Sequence, residues 1–301
     1  MGVYGKYDIL FTRRRIGFLF LVVTTFRQRE NDLFTGSGFL VHIQGIPCEM
    51  ERIMKIAKKH NLYVIEDCAQ AFGAVENGKA VGTWGDAAAF SLQANKIITC
   101  GEGGIFCCKK AEHFEKAKMY HDNGGSRYGD NYPVWNLPEC SFGENFKITE
   151  IQSAIALTQL DKFKMIKERQ QRLYKLFSDK LNVPMRMGRA GSDYVPVSVC
   201  IYFNSSKECN QFIYKCNQHG IPYDTYCDKL LTSYTTFKRK STWHPNFRPY
   251  PDDYQLNLCS NADRYMESTA WLPLCPVLNE EEIDNIINIS NQTYLEISEA
   301  Q

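Results

Sequence analysis

The chain has 301 residues, 44% of them hydrophobic, and 35 lysines and arginines against 34 aspartates and glutamates, for a formal charge of +1. That length and apolar content suffice for one large or two modest domains, while the balanced charge excludes a long-range field that would draw nucleic acid or an acidic membrane surface. The twelve cysteines, scattered from Cys48 to Cys275 with no Cys-x-x-Cys pair, argue against a disulfide-stapled miniprotein and for a reduced, cytoplasmic setting.

At the start, Arg13-Arg14-Arg15 precedes the apolar run Ile16 to Val23, the order of charge and apolar residues found in a signal peptide. No convincing cleavage site follows, and the run is far shorter than the ~20 apolar residues of a spanning helix. A buried strand or a disordered, miscalled start ranks above a signal, and a signal above an anchor. The glycosylation-type triplets at Asn204 and Asn291 are too short a pattern to carry weight.

From Gly45 the punctuation becomes regular. Pro47 can open a helix, Ile53, Ile56 and Ala57 supply its apolar stripe, Lys58-Lys59-His60 place positive charge at its carbonyl end, and Asn61 can stop it. Leu62-Tyr63-Val64-Ile65 then reads as a strand buried on both faces, which stops at Glu66-Asp67. A helix followed by a buried strand ending in acid is the unit of an α/β sheet, whose ligands sit at the strands' carboxyl ends, so Asp67 is a site candidate on position alone. Ala87 to Phe90 and Gly104 to Cys108 read as further strands of the sheet, with Cys107 and Cys108 on opposite faces rather than at zinc spacing. No metal site is expected.

Thr149-Glu150-Ile151-Gln152 has the form of a capping box, with Ile151, Ala154 and Ile155 as the apolar face of a long helix. The charge-rich stretch Lys162 to Arg172 suits a helix that leaves one domain and runs exposed toward another. Beyond about Leu181, the alternating Tyr194 to Phe203, a helix over Ser206 to Gln218 and a turn at Gly220 make a smaller α+β domain. The aromatic and basic stretch Thr235 to Asp253, with His244, Pro245, Pro249 and Pro251, fits a long loop over a site and a solvated surface loop about equally.

The most informative segment is Phe90 to Gly104, where Lys96 stands between two expected strands. A lysine held away from bulk water can attack a carbonyl and form a Schiff base. Alone it is weak, since most lysines are merely solvated. Its company matters more: pyridoxal 5'-phosphate (PLP) needs a lysine for its aldehyde, a carboxylate for its pyridine nitrogen and donors for its phosphate, and Asp67, Gln70, Ser91 and Lys96 can supply those roles. Each has an ordinary alternative: Asp67 as a helix cap, Ser91 as a strand-end turn residue, Gln70 as a surface polar group, and Asn145 as a cap before the Thr149 helix.

Three runs carry a resemblance: Val64-Ile65-Glu66-Asp67-Cys68-Ala69-Gln70-Ala71-Phe72-Gly73-Ala74, Val81-Gly82-Thr83-Trp84-Gly85-Asp86-Ala87-Ala88, and the Lys96 segment ending Gly101-Glu102-Gly103-Gly104. With Phe142 to Ala154, Gln159-Leu160 and Trp271-Leu272-Pro273-Leu274, in that order over roughly Val41 to Ile289, they are similar to the DegT/StrS family of PLP-dependent aminotransferases of nucleotide sugars and cyclitols. The resemblance implies a three-layer PLP-transferase large domain of fold type I, aspartate aminotransferase-like and incomplete at its N-terminus, followed by a small α+β C-terminal domain. The corresponding boundaries are an atypical segment 1–40, a partial PLP-binding domain with the long connecting helix over 41–180, and the small domain over 181–301.

Carried over position by position, Lys96 is the catalytic residue that holds the cofactor aldehyde and then moves the proton. Asp67 pairs with the pyridinium nitrogen, Gln70 sits by the phenolic oxygen and Ser91 binds phosphate. Asn145 reaches the phosphate of the neighbouring subunit of a homodimer. The implied activity is transfer of an amino group from glutamate or glutamine to a keto-sugar or keto-cyclitol. Leu92 and Gln93 stand where the family often has an aromatic residue and a histidine, and Gln93 resembles the cyclitol-type members. Around Tyr226 to Leu231 the histidine of many relatives is not evident; His244 is a candidate substitute, with a surface histidine the preferred reading.

Met1 to Leu40 contain neither the family's Gly-Thr phosphate motif nor its ring-stacking aromatic residue. Either the start is misread or the lineage has replaced it, and the first is preferred. Two functions therefore compete, a working transaminase and a truncated, non-catalytic remnant that binds or regulates a full-length paralogue.

Overall fold

In the computed structural model, residues 7–9, 21–26, 35–126, 132–225, 239 and 260–299 are described, with backbone alone for 7–9, 21–26, 35, 36 and 260. Their elements run β1 (Tyr7–Ile9), β2 (Leu21–Phe26), β3 (Thr35–Val41), a tight turn at Ile43–Gly45, α1 (Met50–Lys59), β4 (Tyr63–Asp67), β5 (Val75–Glu76), β6 (Lys79–Ala80), β7 (Ala87–Ser91), β8 (Gly104–Cys108), α2 (Ala111–His121) and α3 (Glu150–Lys180). Then come β9 (Ser192–Asp193), β10 (Ser198–Tyr202), α4 (Ser206–Gln218), β11 (Asp224–Thr225), α5 (Ser260–Glu267), β12 (Thr269–Pro273) and α6 (Glu280–Glu299). Of the apolar run near the start, Leu21 to Val23 fall in β2. No helix among the described residues is long and apolar enough to cross a membrane.

Two compact units emerge among the described residues: those up to Lys167 together with 190–195, and those of 168–189 and 196 onward. The first is built on a six-stranded sheet in the order β1-β2-β3-β4-β7-β8. β3, β4 and β7 are parallel neighbours, whereas β8 returns antiparallel to β7 and β1 and β2 add an antiparallel hairpin beyond β3. Hydrophobic pattern announces that Gly104 to Cys108 is a strand but carries no direction, so the antiparallel return is new information.

α1 starts at Met50, later than Pro47 suggested, and Asn61 ends the turn after it in the left-handed region at φ 50°. Its Met50, Ile53 and Ala57 pack with Leu40, Cys48 and Val64 into one buried cluster on the sheet. A second cluster joins Cys68, Ala71, Ala74, Val81, Ala88 and Val195, and a third joins Leu92, Ile98 and Cys100, against which Phe163 of α3 packs. The ten described cysteines are free thiols.

α3 begins as its sequence demands. The Thr149 hydroxyl accepts the Gln152 amide at 3.3 Å while the Gln152 side-chain oxygen accepts the Thr149 amide at 3.1 Å, a reciprocal capping box. Its 31 residues overturn one expectation, however. The apolar face at Ile151 and Ile155 is 76% and 44% exposed, and the deeply buried residues are Gln170, Leu173, Tyr174 and Phe177, beyond and within the charge-rich stretch.

The second unit is a three-stranded antiparallel sheet, β10-β12-β11, covered by α4 and α6. α4 coincides with the expected Ser206 to Gln218 and is capped by Ser205, whose hydroxyl accepts the Glu208 amide at 3.2 Å. Val199, Ile201, Phe212, Tyr223, Ala270 and Ile287 form its interior.

Candidate active site

The parallel strands β3 and β4 end level with one another, and β7 runs two residues further, from Ala89 to Ser91. Val41 pairs with Asp67, and Asp67 pairs with Ala89, so Asp67 closes β4 beside the segment that ends β7 at Ser91. This is the carboxyl edge of the parallel part of the sheet, where α/β folds place ligands. Asp67 turns one carboxylate oxygen, Oδ1, onto the Ala69 amide at 3.0 Å, which folds the chain back after the strand. Its Oδ2 bonds to no described residue.

Gln70 lies on that return and is half-buried rather than a surface group. Its Oε1 accepts the Gln44 amide at 2.8 Å, and since a backbone N–H can only donate, this contact fixes which end of the carboxamide is oxygen. Gln44 itself sits in the left-handed region at φ 60°, an uncommon conformation for a side-chain-bearing residue. At the end of β7, the Ser91 hydroxyl accepts the Gln93 amide at 3.3 Å. The Lys96 amide then closes a turn on the Gln93 carbonyl at 3.0 Å.

That Lys96 turn is held from both sides. The Leu92 amide donates to the Gly103 carbonyl at 2.9 Å and the Cys100 amide to the Leu92 carbonyl at 3.0 Å, while Leu92, Ile98 and Cys100 are buried. Lys96 is half-buried, and its Nζ makes no hydrogen bond or ion pair with any described residue. An amine without an assigned structural partner, on an anchored turn at the sheet's carboxyl edge, is placed to react with a carbonyl.

Asn145 stands on a different segment. Its loop docks against the end of α2, the Glu144 amide reaching the Tyr120 carbonyl at 2.7 Å and the Phe146 amide the His121 carbonyl at 3.0 Å. A Cβ on Gly143 would come within 2.1 Å of the Gly124 nitrogen, so glycine is needed there for the two backbones to approach. The Asn145 side chain is exposed, with Oδ1 3.4 Å from the Lys147 amide that it accepts. The substrate-loop candidates Tyr226 to Leu231 and His244 lie outside the described residues.

Sequence reasoning missed the most heavily bonded polar pair in this region, His42 and Glu66, both fully buried. Glu66 alternates with Asp67 along β4 and so faces the other side of the sheet. Its Oε1 accepts the Gly85 amide at 2.6 Å, and its Oε2 accepts the Gly82 amide at 2.8 Å and His42 Nε2–H at 3.1 Å. Burial acts to raise the carboxyl pKa, but His42 and then the two glycine amides outweigh it and hold Glu66 below the ordinary carboxylate value. The signal in the sequence was an acid directly after the four apolar residues of a strand, at a position that should face a neighbouring layer.

With Cys68, this pair places three ligand-type atoms within 4.8 Å of one another. The bonding opposes a metal there. His42 Nδ1 accepts the Cys48 amide at 3.0 Å, whereas a neutral imidazole that ligates through Nε2 must carry its proton on Nδ1.

A model of the DegT/DnrJ/EryC1/StrS aminotransferase family matches residues 34–290. The chain belongs to this family. The match opens before Val41, so the family domain includes the whole of β3. Among DegT/DnrJ/EryC1/StrS relatives, GDP-perosamine synthase of Escherichia coli O157:H7 is 29% identical over 262 residues, which is 84% of this chain and 64% of that protein. The putative L-glutamine:3-amino-2,3-dideoxy-scyllo-inosose aminotransferase of Micromonospora echinospora is 36% identical over 43% of this chain and 30% of its own length. The chain thus spans less than two thirds of either curated relative. The PMP form of the putative sugar aminotransferase Spr1654 from Streptococcus pneumoniae superposes with a TM-score of 0.74 at 18% identity, covering 87% of this chain and 70% of that one. The likeness shows the fold, the fold type I architecture of PLP-dependent sugar aminotransferases.

Proposed function

We infer that this DegT/DnrJ/EryC1/StrS member binds PLP at the carboxyl ends of β4 and β7 and transfers an amino group from glutamate or glutamine to a keto-sugar, nucleotide-linked, or a keto-cyclitol. The observation that carries this reading is the placement of Asp67 and the Lys96 turn at the ends of neighbouring parallel strands. The donor set fits the cofactor: a carboxylate with one oxygen unengaged by the described residues, a carboxamide of fixed orientation, a strand-end hydroxyl, and an amine.

PLP, when bound, supplies an electron sink for a carbanion at the substrate carbon. The chain's own residues do the rest. Lys96 would hold the aldehyde carbon through Nζ and would carry a proton between carbon atoms as general acid/base. Asp67 keeps the pyridine nitrogen protonated by opposing its charge. Gln70 donates toward the phenolic oxygen, and Ser91 anchors phosphate. Gln93 supports a cyclitol-type acceptor, and the glutamine-dependent inosose relative is in keeping with it.

Asn145 acts on a second copy. Phe142, Phe146, Ile148 and Ile151, on its own segment and the start of α3, are 97%, 62%, 42% and 76% exposed. Apolar side chains in such density are ordinarily covered by a partner surface, which supports a homodimer. The same exposure also suits the second reading, a non-catalytic chain that binds a full-length family member.

Titration of purified protein with PLP separates the two. The transaminase reading expects saturable visible absorbance of lysine-bound cofactor, discharged by glutamate or glutamine and restored by a keto-sugar or keto-cyclitol. Folded protein that develops no such band at saturating PLP sinks the reading in favour of the non-catalytic one.

A further inference from the structure

We propose that His42 and Glu66 are positioning residues that set the orientation of Asp67 and Gln70, an inference that rests on the PLP reading above. The bonds form a closed path. The His42 main-chain amide donates to the Asp67 carbonyl at 3.0 Å, and its ring is held at both nitrogens, Nε2 on Glu66 and Nδ1 on the Cys48 amide. Residues between His42 and Cys48 are therefore pinned at both ends. Within that span Gln44, in its left-handed conformation, aims the amide that fixes Gln70.

Glu66 closes the other side. It is covalently next to Asp67, and its carboxylate gathers the Gly82 and Gly85 amides under the strand. Only an anionic carboxylate satisfies all three donors. A carboxamide would set its NH2 against either a glycine N–H or the ring N–H, and the ring cannot take the other tautomer because the Cys48 amide occupies Nδ1. The pair touches neither substrate nor cofactor on this reading. Its effect is to hold the groups that do, as supporting shells commonly do at a cost of 10- to 100-fold when removed.

The distinguishing test uses two variants and one control. His42→Asn keeps an oxygen near the position of Nδ1 for the Cys48 amide and leaves Glu66 its two glycine donors, so it spares the fold; Glu66→Gln removes the charge. Ile53→Ala, in the buried α1 cluster, lowers stability without touching the pair. Each is titrated with PLP, and the pH midpoint of the visible band is recorded beside thermal unfolding. His42→Asn and Glu66→Gln are expected to weaken PLP binding about tenfold or more and to displace that midpoint, because Gln70 and Asp67 face the titrating groups. Ile53→Ala is expected to melt earlier with both readouts unchanged. A wild type that shows the band, with both variants matching it in affinity and midpoint, overturns the positioning role while leaving the PLP reading intact. Absence of the band in the wild type removes the reading itself, and this inference with it.

Discussion

Lys96→Ala is expected to abolish the visible band of lysine-bound PLP and to reduce amino transfer by at least about 10³-fold, the joint loss of the covalent anchor and of a positioned general acid/base. The protein should fold as before. Lys96 Nζ makes no bond with any described residue, and the turn that carries it is secured by backbone bonds of Leu92 and Cys100 and by their buried side chains. Far-ultraviolet circular dichroism and thermal melting check that half of the expectation, and absorbance with a glutamate or glutamine half-reaction checks the other. A variant that retains both band and turnover removes Lys96 from the chemistry.

Glu66→Ala carries the largest expected effect on stability, a loss of about 3–5 kcal/mol, because truncating one member of a buried pair strands the donors it served. Here those donors are the Gly82 and Gly85 amides and the His42 ring. The sign with pH follows from the direction of the Glu66 shift, which is downward. A carboxyl whose folded pKa lies below the unfolded value of about 4.3 contributes stability that is fully present above that pH and lost as the pH falls through the folded pKa. Urea unfolding of wild type and variant should therefore differ most at neutral pH and converge on acidification below about pH 4. A gap that stays constant from pH 7 to pH 3 contradicts the assignment of Glu66 as a buried carboxylate.

Local rules made much of the fold legible. The buried Ile53 and Ala57 of α1, the strand that ends at Asp67, the Thr149-Gln152 box and the bounds of α4 depend on neighbours close in the chain, and each is found where its residues indicate. Ile56 of the expected stripe is 37% exposed. β4 is buried on the Val64 and Glu66 face while Tyr63 is 39% exposed, so the expected burial on both faces does not hold. Asp67 was legible for the same reason: a strand ending in acid places that acid at the sheet edge, whatever the rest does. The parts that escaped depend on distant partners. His42 and Glu66 are 24 positions apart, and neither residue alone reveals that the other completes it. The apolar face of α3 at Ile151 and Ile155 was visible as a pattern, yet periodicity states that a face is apolar and not what covers it. The direction of β8 and the two-residue strands β5, β6 and β9 likewise follow from pairing rather than from any local preference.

Asp67, Gln70, Ser91 and Lys96 were thus readable as a candidate set from spacing and from family likeness, while the distant bonds that hold Gln70 and the Glu66 side of β4 were not. Gln70 illustrates the divide. Its type and place suggested a ligand to the cofactor, but the orientation of its carboxamide comes from Gln44, a left-handed residue in a loop whose ends meet at His42.

The most direct test of the central claim is to saturate the purified full chain with PLP, reduce it with borohydride, digest it and locate the modified residue by mass spectrometry. The account predicts a single major adduct, on the peptide containing Lys96 and on that lysine. An adduct on another lysine, or none on protein shown to be folded, contradicts the assignment of the sheet's carboxyl edge as the cofactor site.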